Sequence, residues 1–183
     1  MSIRRISLEP DPAQIPYHVQ VLLDETAEEL TDWQGGSERY HFVPADYVLI
    51  FDALCTLRRL MPTGRPRYLE WGSGLGVATL LASALGWEAD GVEIQPLLCQ
   101  RSRELVRQFA LPAAFHEGSF FPGEPNSIPK LDDLCGKADL IYVYPWPDQE
   151  LEIFDLFSRM ASPGSFLLAY YGVEDIRLFQ KDG

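Results

Sequence analysis

The segment YLEWGSGLG, Tyr68–Gly76, sets the narrowest limit on what this chain can fold into. An apolar strand pattern over residues 67–71 runs directly into glycines at 72, 74 and 76. Ala78, Leu81, Ala82 and Leu85 then recur at helical spacing, and Gly86 stops them. A tight strand-to-helix turn needs positive φ, which glycine adopts without steric cost. Missing Cβ atoms also let a ligand approach the backbone, where the next helix aims its first amides. Strand, glycine turn and helix in that order open an α/β fold with a parallel sheet.

The rest of the chain keeps that alternation. A helix is expected over residues 19–30, and Gln34-Gly35-Gly36-Ser37 breaks it. Helical character resumes at Pro44, a good first-turn residue, with Tyr47, Ile50, Phe51, Leu54, Leu57 and Met61 on one stripe. Strands are expected at residues 89–94, 113–117, 138–144 and 165–171. A helix opens at Pro96 and carries Leu98, Leu105 and Phe109, and residues 121–130 are a proline-rich loop. A last helix over 148–160 turns Leu151, Phe154 and Phe157 inward. The expected fold is an α/β, three-layer Rossmann-like sandwich with a mainly parallel sheet of strand order 3-2-1-4-5. Residues 1–43 read as an N-terminal helical extension or lid, and residues 44–183 as the ligand-binding domain. Ligands in such sheets sit at the strand carboxyl ends beside the switch point, here Glu70–Gly76 and Tyr144–Pro147.

Composition narrows the function classes. The formal net charge of −12 repels phosphate backbones, so a tight nucleic-acid partner is disfavoured. The three cysteines, Cys55, Cys99 and Cys135, form no CxxC pair, which signals neither a disulfide framework nor a metal site. Cys55 and Cys99 fall in apolar helical patterns and read as core residues. His18, His41 and His116 lack metal-ligand spacing, and His116 reads as a strand or loop residue rather than a base. No apolar run is long enough for a membrane span, and Arg4 and Arg5 precede no apolar signal segment. A soluble, cytoplasmic protein is expected.

The glycine turn has an acidic partner. Glu93 ends the next strand, where a carboxylate can accept hydrogen bonds from both hydroxyls of a ribose. Two cofactor classes compete for such a site. Dinucleotide sites read G-x-G-x-x-G/A, but that pattern's last position here is Val77. A pyrophosphate also favours an uncharged first loop, and Glu70 is acidic. An acid there suits a cationic ligand, which favours S-adenosylmethionine over NAD.

With these motifs the chain resembles the class I S-adenosylmethionine-dependent methyltransferases. Glu70-x-Gly72-x-Gly74-x-Gly76 matches their first motif, with Ser73 inside it, and Glu93 with Ile94 beside it matches the ribose-binding position. His116-Glu117-Gly118-Ser119-Phe120 falls where the family's third-strand loop covers the adenine. Tyr144-Pro145-Trp146-Pro147 falls at the fourth-strand motif beside the methyl group, and Ser162-Pro163-Gly164-Ser165 resembles the turn before strand five. The resemblance spans about residues 40–171. Within the class, HFVPADYV followed by the glycine segment and GVEI is similar to lysine methyltransferases with seven-strand cores. The resemblance implies S-adenosyl-L-methionine as cofactor and a small-molecule or protein acceptor, a lysine side chain among the candidates.

Methyl transfer from a sulfonium needs alignment and exclusion of water more than strong acid–base groups. The candidates for that task are Tyr144 to position the acceptor, Trp146 to wall it or face a cation, and Asp148 as a base. Asp148 also reads as a helix N-cap, and Trp146 as packing over the sheet end. Tyr40 and Phe42 read either as a lid or as core. Family members usually add an antiparallel hairpin after strand five, whereas here only residues 173–183 follow, enough for one short strand at 176–179. The expected sheet is therefore truncated at that edge, covered by a dimer partner or by the N-terminal segment. A methyltransferase fold that binds cofactor without catalysis, and a nicotinamide-dependent oxidoreductase, remain the alternative functions.

Overall fold

The computed structural model describes residues 2–35, 43–61 and 64–183. The expected lid residues Tyr40 and Phe42 lie outside these, as does part of the expected break at 34–37.

Among the described residues, seven strands form one sheet: β1 (Ile3–Ile6), β2 (Arg67–Trp71), β3 (Glu88–Glu93), β4 (Ala113–Glu117), β5 (Leu140–Val143), β6 (Phe166–Tyr170) and β7 (Ile176–Lys181). Their spatial order is β1-β7-β6-β5-β2-β3-β4. The central five strands thus have the expected 3-2-1-4-5 order, and all four of their pairings are parallel. The truncated edge needs correction. β7 pairs antiparallel with β6, and β1 pairs antiparallel with β7, Ile3 opposite Lys181. The N-terminal segment therefore takes the outer position, one of the two covers expected for that edge. β1 escaped the sequence reading because IRRI is short and only its two ends are apolar.

Six helices complete the described fold: α1 (Tyr17–Gly35), α2 (Tyr47–Leu60), α3 (Val77–Ala84), α4 (Pro96–Phe109), α5 (Leu131–Lys137) and α6 (Glu150–Met160). Helices α1 to α4 cover one sheet face and α5 and α6 the other, each over its own buried cluster. The strands serve both layers by period-two alternation. Leu140 and Tyr142 of β5 face the first cluster, Ile141 and Val143 the second; Leu168 and Leu167 of β6 divide likewise. This double burial explains why β5 reads as a continuous apolar run.

Three helix details depart from the sequence reading. α2 starts at Tyr47 rather than Pro44, because the Asp46 carboxylate accepts the amides of Val48 and Leu49, both at 3.1 Å. α5 falls at residues 131–137, to which the sequence reading assigns no element; its signal is Asp132 and Asp133 in the first turn and Lys137 in the last, matching the helix dipole. α6 begins at Glu150, so its inward stripe is Ile153, Leu156 and Phe157, and Leu151 is exposed rather than inward. Helix α1 is fastened from outside by Arg101 of α4, whose guanidinium binds both carboxylate oxygens of Glu29. From inside it contributes Val19 and Leu22 to the core.

Candidate functional site

The carboxyl ends of β2, β3, β4, β5 and β6 open into one cavity of about 940 Å³. It lies at the switch point, where β2 has β3 on one side and β5 on the other. All the sequence-predicted site residues except Gly76 line it.

The glycine turn is bound to the end of β3. The amides of Gly72 and Ser73 donate to the Val92 carbonyl at 2.9 and 2.8 Å, and Gly76 closes the turn on the Ser73 carbonyl at 2.7 Å. Gly72, Gly74 and Gly76 have φ of 75°, 54° and 77°, the left-handed region. Gly76 sits outside the cavity as the N-cap of α3. A Cβ there would lie 2.3 Å from the Phe115 ring of β4, so this glycine serves sheet packing rather than ligand approach. At Gly72 the nearest atom to such a Cβ is 3.7 Å away, on Phe120. From α4, the Ser102 hydroxyl donates to the Gly74 carbonyl at 3.0 Å.

Glu93 holds the opposite side. One carboxylate oxygen accepts the Gly74 amide at 2.7 Å, the other the Gln95 amide at 2.7 Å. Burial pushes its pKa up, and the Gln95, Gly74 and Ile94 amides pull it back. Each oxygen retains acceptor capacity toward the cavity. Ile94 follows it, half exposed on the cavity wall.

Glu70 has a different task from the one its sequence position suggested. Its carboxylate accepts the Thr79 amide at 3.0 Å and also the Thr79 hydroxyl, in the first turn of α3. It therefore caps the helix that follows the glycine turn. Burial pushes its pKa up to about 8 against those two bonds, and Glu93 adds to the rise. Near neutral pH this acid is mostly protonated, which weakens its reading as a fixed negative charge for a cation.

The loop after β4 brings Ser119 and Phe120. Ser119 is buried, and its hydroxyl accepts the Phe121 amide at 3.0 Å. Phe120 stacks on Trp71 with ring centres 5.6 Å apart and planes 1° from parallel. Opposite, Tyr144 packs edge-on against Tyr170 at 4.8 Å. Burial raises its hydroxyl pKa, so it is a donor and not a base. Trp146 stands 46% exposed between its prolines. Asp148 is exposed at φ 74°, one residue before the Gln149 N-cap of α6. It does not cap the helix, because the turn over Pro147 and Asp148 places it too early.

The sequence reading places Ser73 in the site but not Tyr142. Ser73 was named only by its place in the motif, and Tyr142 was absorbed into the apolar run of β5. Both line the cavity, and both hydroxyls are buried without a hydrogen-bond partner among the described residues. Buried hydroxyls are normally satisfied, so these two are suited to a ligand. Tyr171 was also missed; its hydroxyl donates to Glu150 at 2.7 Å. His116 and Asp90 pair across β4 and β3 at 2.6 Å, away from the cavity lining. Among the described residues no His, Cys, Asp and Glu group is placed to hold a metal, and no helix is long and apolar enough to cross a membrane.

No protein-family model matches the sequence, and no curated protein does. Solved structures do match the fold. An RNA methyltransferase from Salinibacter ruber, in complex with S-adenosyl-L-homocysteine, is 18% identical with a TM-score of 0.59, covering 76% of this chain and 92% of that one. A mutant of MtNAS in complex with S-adenosylmethionine is 16% identical with a TM-score of 0.57, covering 91% and 76%. The precorrin-6y C5,15-methyltransferase of Geobacter metallireducens GS-15 is 20% identical with a TM-score of 0.50, covering 73% and 70%. The chain has the Rossmann-like fold of the class I S-adenosylmethionine-dependent methyltransferases.

Proposed function

We propose that this protein is an S-adenosyl-L-methionine-dependent methyltransferase. The observation that carries the proposal is the bond from the Gly74 amide to Glu93 at 2.7 Å. It brings an acid and a glycine turn from successive strands into one site at the switch point. The residues present fit the cofactor. Glu93 has free acceptor capacity for ribose hydroxyls, and the glycine turn admits a ligand against its backbone. The buried hydroxyl of Ser73 is without a partner among the described residues. Ile94 and Phe120 offer apolar faces for a planar base. Bound S-adenosylmethionine would supply an activated methyl group on a sulfonium.

The chain's own residues then align and shield. Phe120, stacked on Trp71, makes one wall rigid, and Tyr144, braced by Tyr170, makes another. Trp146 and Asp148 stand at the rim on the acceptor side. Val43, Ala45 and Tyr47, leading into α2, border the same space. Of residues 1–43, β1 lies at the sheet edge and α1 on one sheet face, and among the described residues only Val43 borders the cavity. A second copy at the outer edge, making a homodimer, stays a proposal.

A thermal-shift comparison tests the function. S-adenosylhomocysteine should stabilise the protein and NADH should not, and Glu93→Ala and Gly74→Val should abolish the shift. Stabilisation by NADH alone, or by neither compound, would reject the cofactor. Methyl transfer to candidate acceptors then separates an enzyme from a binding module.

A further inference from the structure

The charged side chains around the cavity have one sign. Glu70, Glu93, Glu124, Asp148 and Glu150 line it, and no lysine, arginine or histidine does among the described residues. The five acids differ in state. Glu70 caps α3 and is largely protonated near neutral pH. Glu150 is answered by Arg177 at 3.6 Å and by the Tyr171 hydroxyl. Glu93 binds two amides of the cofactor side. Glu124 and Asp148 are exposed, and neither has an ion-pair partner among the described residues. The uncompensated negative charge therefore lies at the rim, on the loops after β4 and β5.

The same rim is aromatic. Trp146 presents its ring at 46% exposure, and Tyr171 borders it with a ring that already holds the Arg177 guanidinium at 4.2 Å. Deeper in, the buried Tyr142 hydroxyl lacks a partner among the described residues. Aromatic faces attract cations through the ring quadrupole, and carboxylates in a concave wall focus that field. An acceptor bearing phosphate or carboxylate would meet repulsion and find no cationic side chain among those described in the lining.

We propose that the acceptor is a small aromatic or aliphatic amine that enters as its ammonium cation. This rests on the methyltransferase reading of the cavity. The ammonium is drawn in by Glu124 and Asp148 and settles against Trp146, with the Tyr142 hydroxyl as an acceptor deeper in. Before it can act as a nucleophile the ammonium gives one proton to solvent water at the open rim, leaving the nitrogen lone pair free.

Two pairs matched in shape and opposite in charge test this: tryptamine against 3-indolepropionate, and benzylamine against benzoate. Each is titrated calorimetrically into the full-length protein, with and without saturating S-adenosylhomocysteine. The expected result is that the amine of at least one pair binds tenfold or more tighter than its anion. That ratio should fall at least fivefold in the Glu124→Gln, Asp148→Asn double variant and at high salt. Equal affinity, preference for the anion, or no binding of any of the four at millimolar concentration overturns the proposal. The cofactor reading fails separately, by absence of a thermal shift with S-adenosylhomocysteine. An amine preference measured without cofactor is unaffected by that failure.

Discussion

The Glu70 carboxylate accepts the Thr79 amide at 3.0 Å and the Thr79 hydroxyl as well, so the penultimate residue of β2 caps the helix that the glycine turn begins. Strand end, turn and helix are thereby one rigid unit, with a buried acid at its centre.

This acid gives stability a pH dependence. Its pKa is raised to about 8 in the fold, against an ordinary value of 4.5. The folded protein therefore holds a proton that the unfolded chain has lost between those values, and stability falls as pH rises from about 4.5 to 8. The limiting slope for one proton is about 1.4 kcal/mol per pH unit. Glu70→Gln keeps an acceptor for Thr79 without the titration. Urea unfolding of both proteins across this range should show the slope in the native sequence and a flatter line in the variant. Parallel lines would show that Glu70 does not titrate there.

Cofactor binding should move the same proton. An ammonium placed near Glu70 favours its ionised form, so near neutral pH binding of S-adenosylhomocysteine, a zwitterion that carries one, should release protons. Calorimetry in phosphate and in Tris, which differ in ionisation enthalpy, reads this directly. Glu70→Gln should remove most of the difference between buffers.

Glu93→Ala should lower affinity for S-adenosylhomocysteine about 100-fold, the loss of roughly two charge-assisted hydrogen bonds. It also leaves the Gly74 and Gln95 amides without their acceptor, so the melting temperature should drop. An unchanged affinity would place the ligand elsewhere.

Gly76→Ala and Gly86→Ala separate backbone strain from collision. Both positions are left-handed, φ 77° and 84°. Gly86 has open space beside it, so alanine should cost about 1 kcal/mol from conformation alone. At Gly76 the new Cβ meets the Phe115 ring at 2.3 Å, which should add roughly 1–3 kcal/mol. Equal urea midpoints would refute the packing role of Gly76.

Removing residues 1–6 should uncover β7 along its whole outer edge. Loss of the β1 pairing and of the partly buried Ile3 and Ile6 should cost about 2 kcal/mol, a fall of roughly 4–8 °C in melting temperature. The freed edge should also associate, visible as concentration-dependent sedimentation. A truncated protein that is monomeric and equally stable would deny β1 its role.

Local chemistry made much of this legible in sequence. The glycines at 72, 74 and 76, the apolar run of β5 and the stripes of α2 and α4 each carry their conformation in neighbouring residues, so the central sheet order followed from them. β1 and α5 were not legible, because four residues of strand and seven of helix carry too little periodicity to register. The start of α2 was misplaced because two capping signals, Pro44 and Asp46, compete within three residues, and only backbone geometry selects one.

By itself, then, the sequence determined the α/β alternation, the glycine turn YLEWGSGLG and the acid Glu93 that faces it, since spacing along the chain fixes all three. Tertiary structure alone decided the rest. It directs Glu70 into the Thr79 cap, fills the space beside Gly76 with Phe115, and lays β1 against β7, residues separated by 172–178 positions along the chain. The first spans nine residues and the other two join distant segments; in each the partner is set by how the sheet and helices pack, which no local pattern encodes.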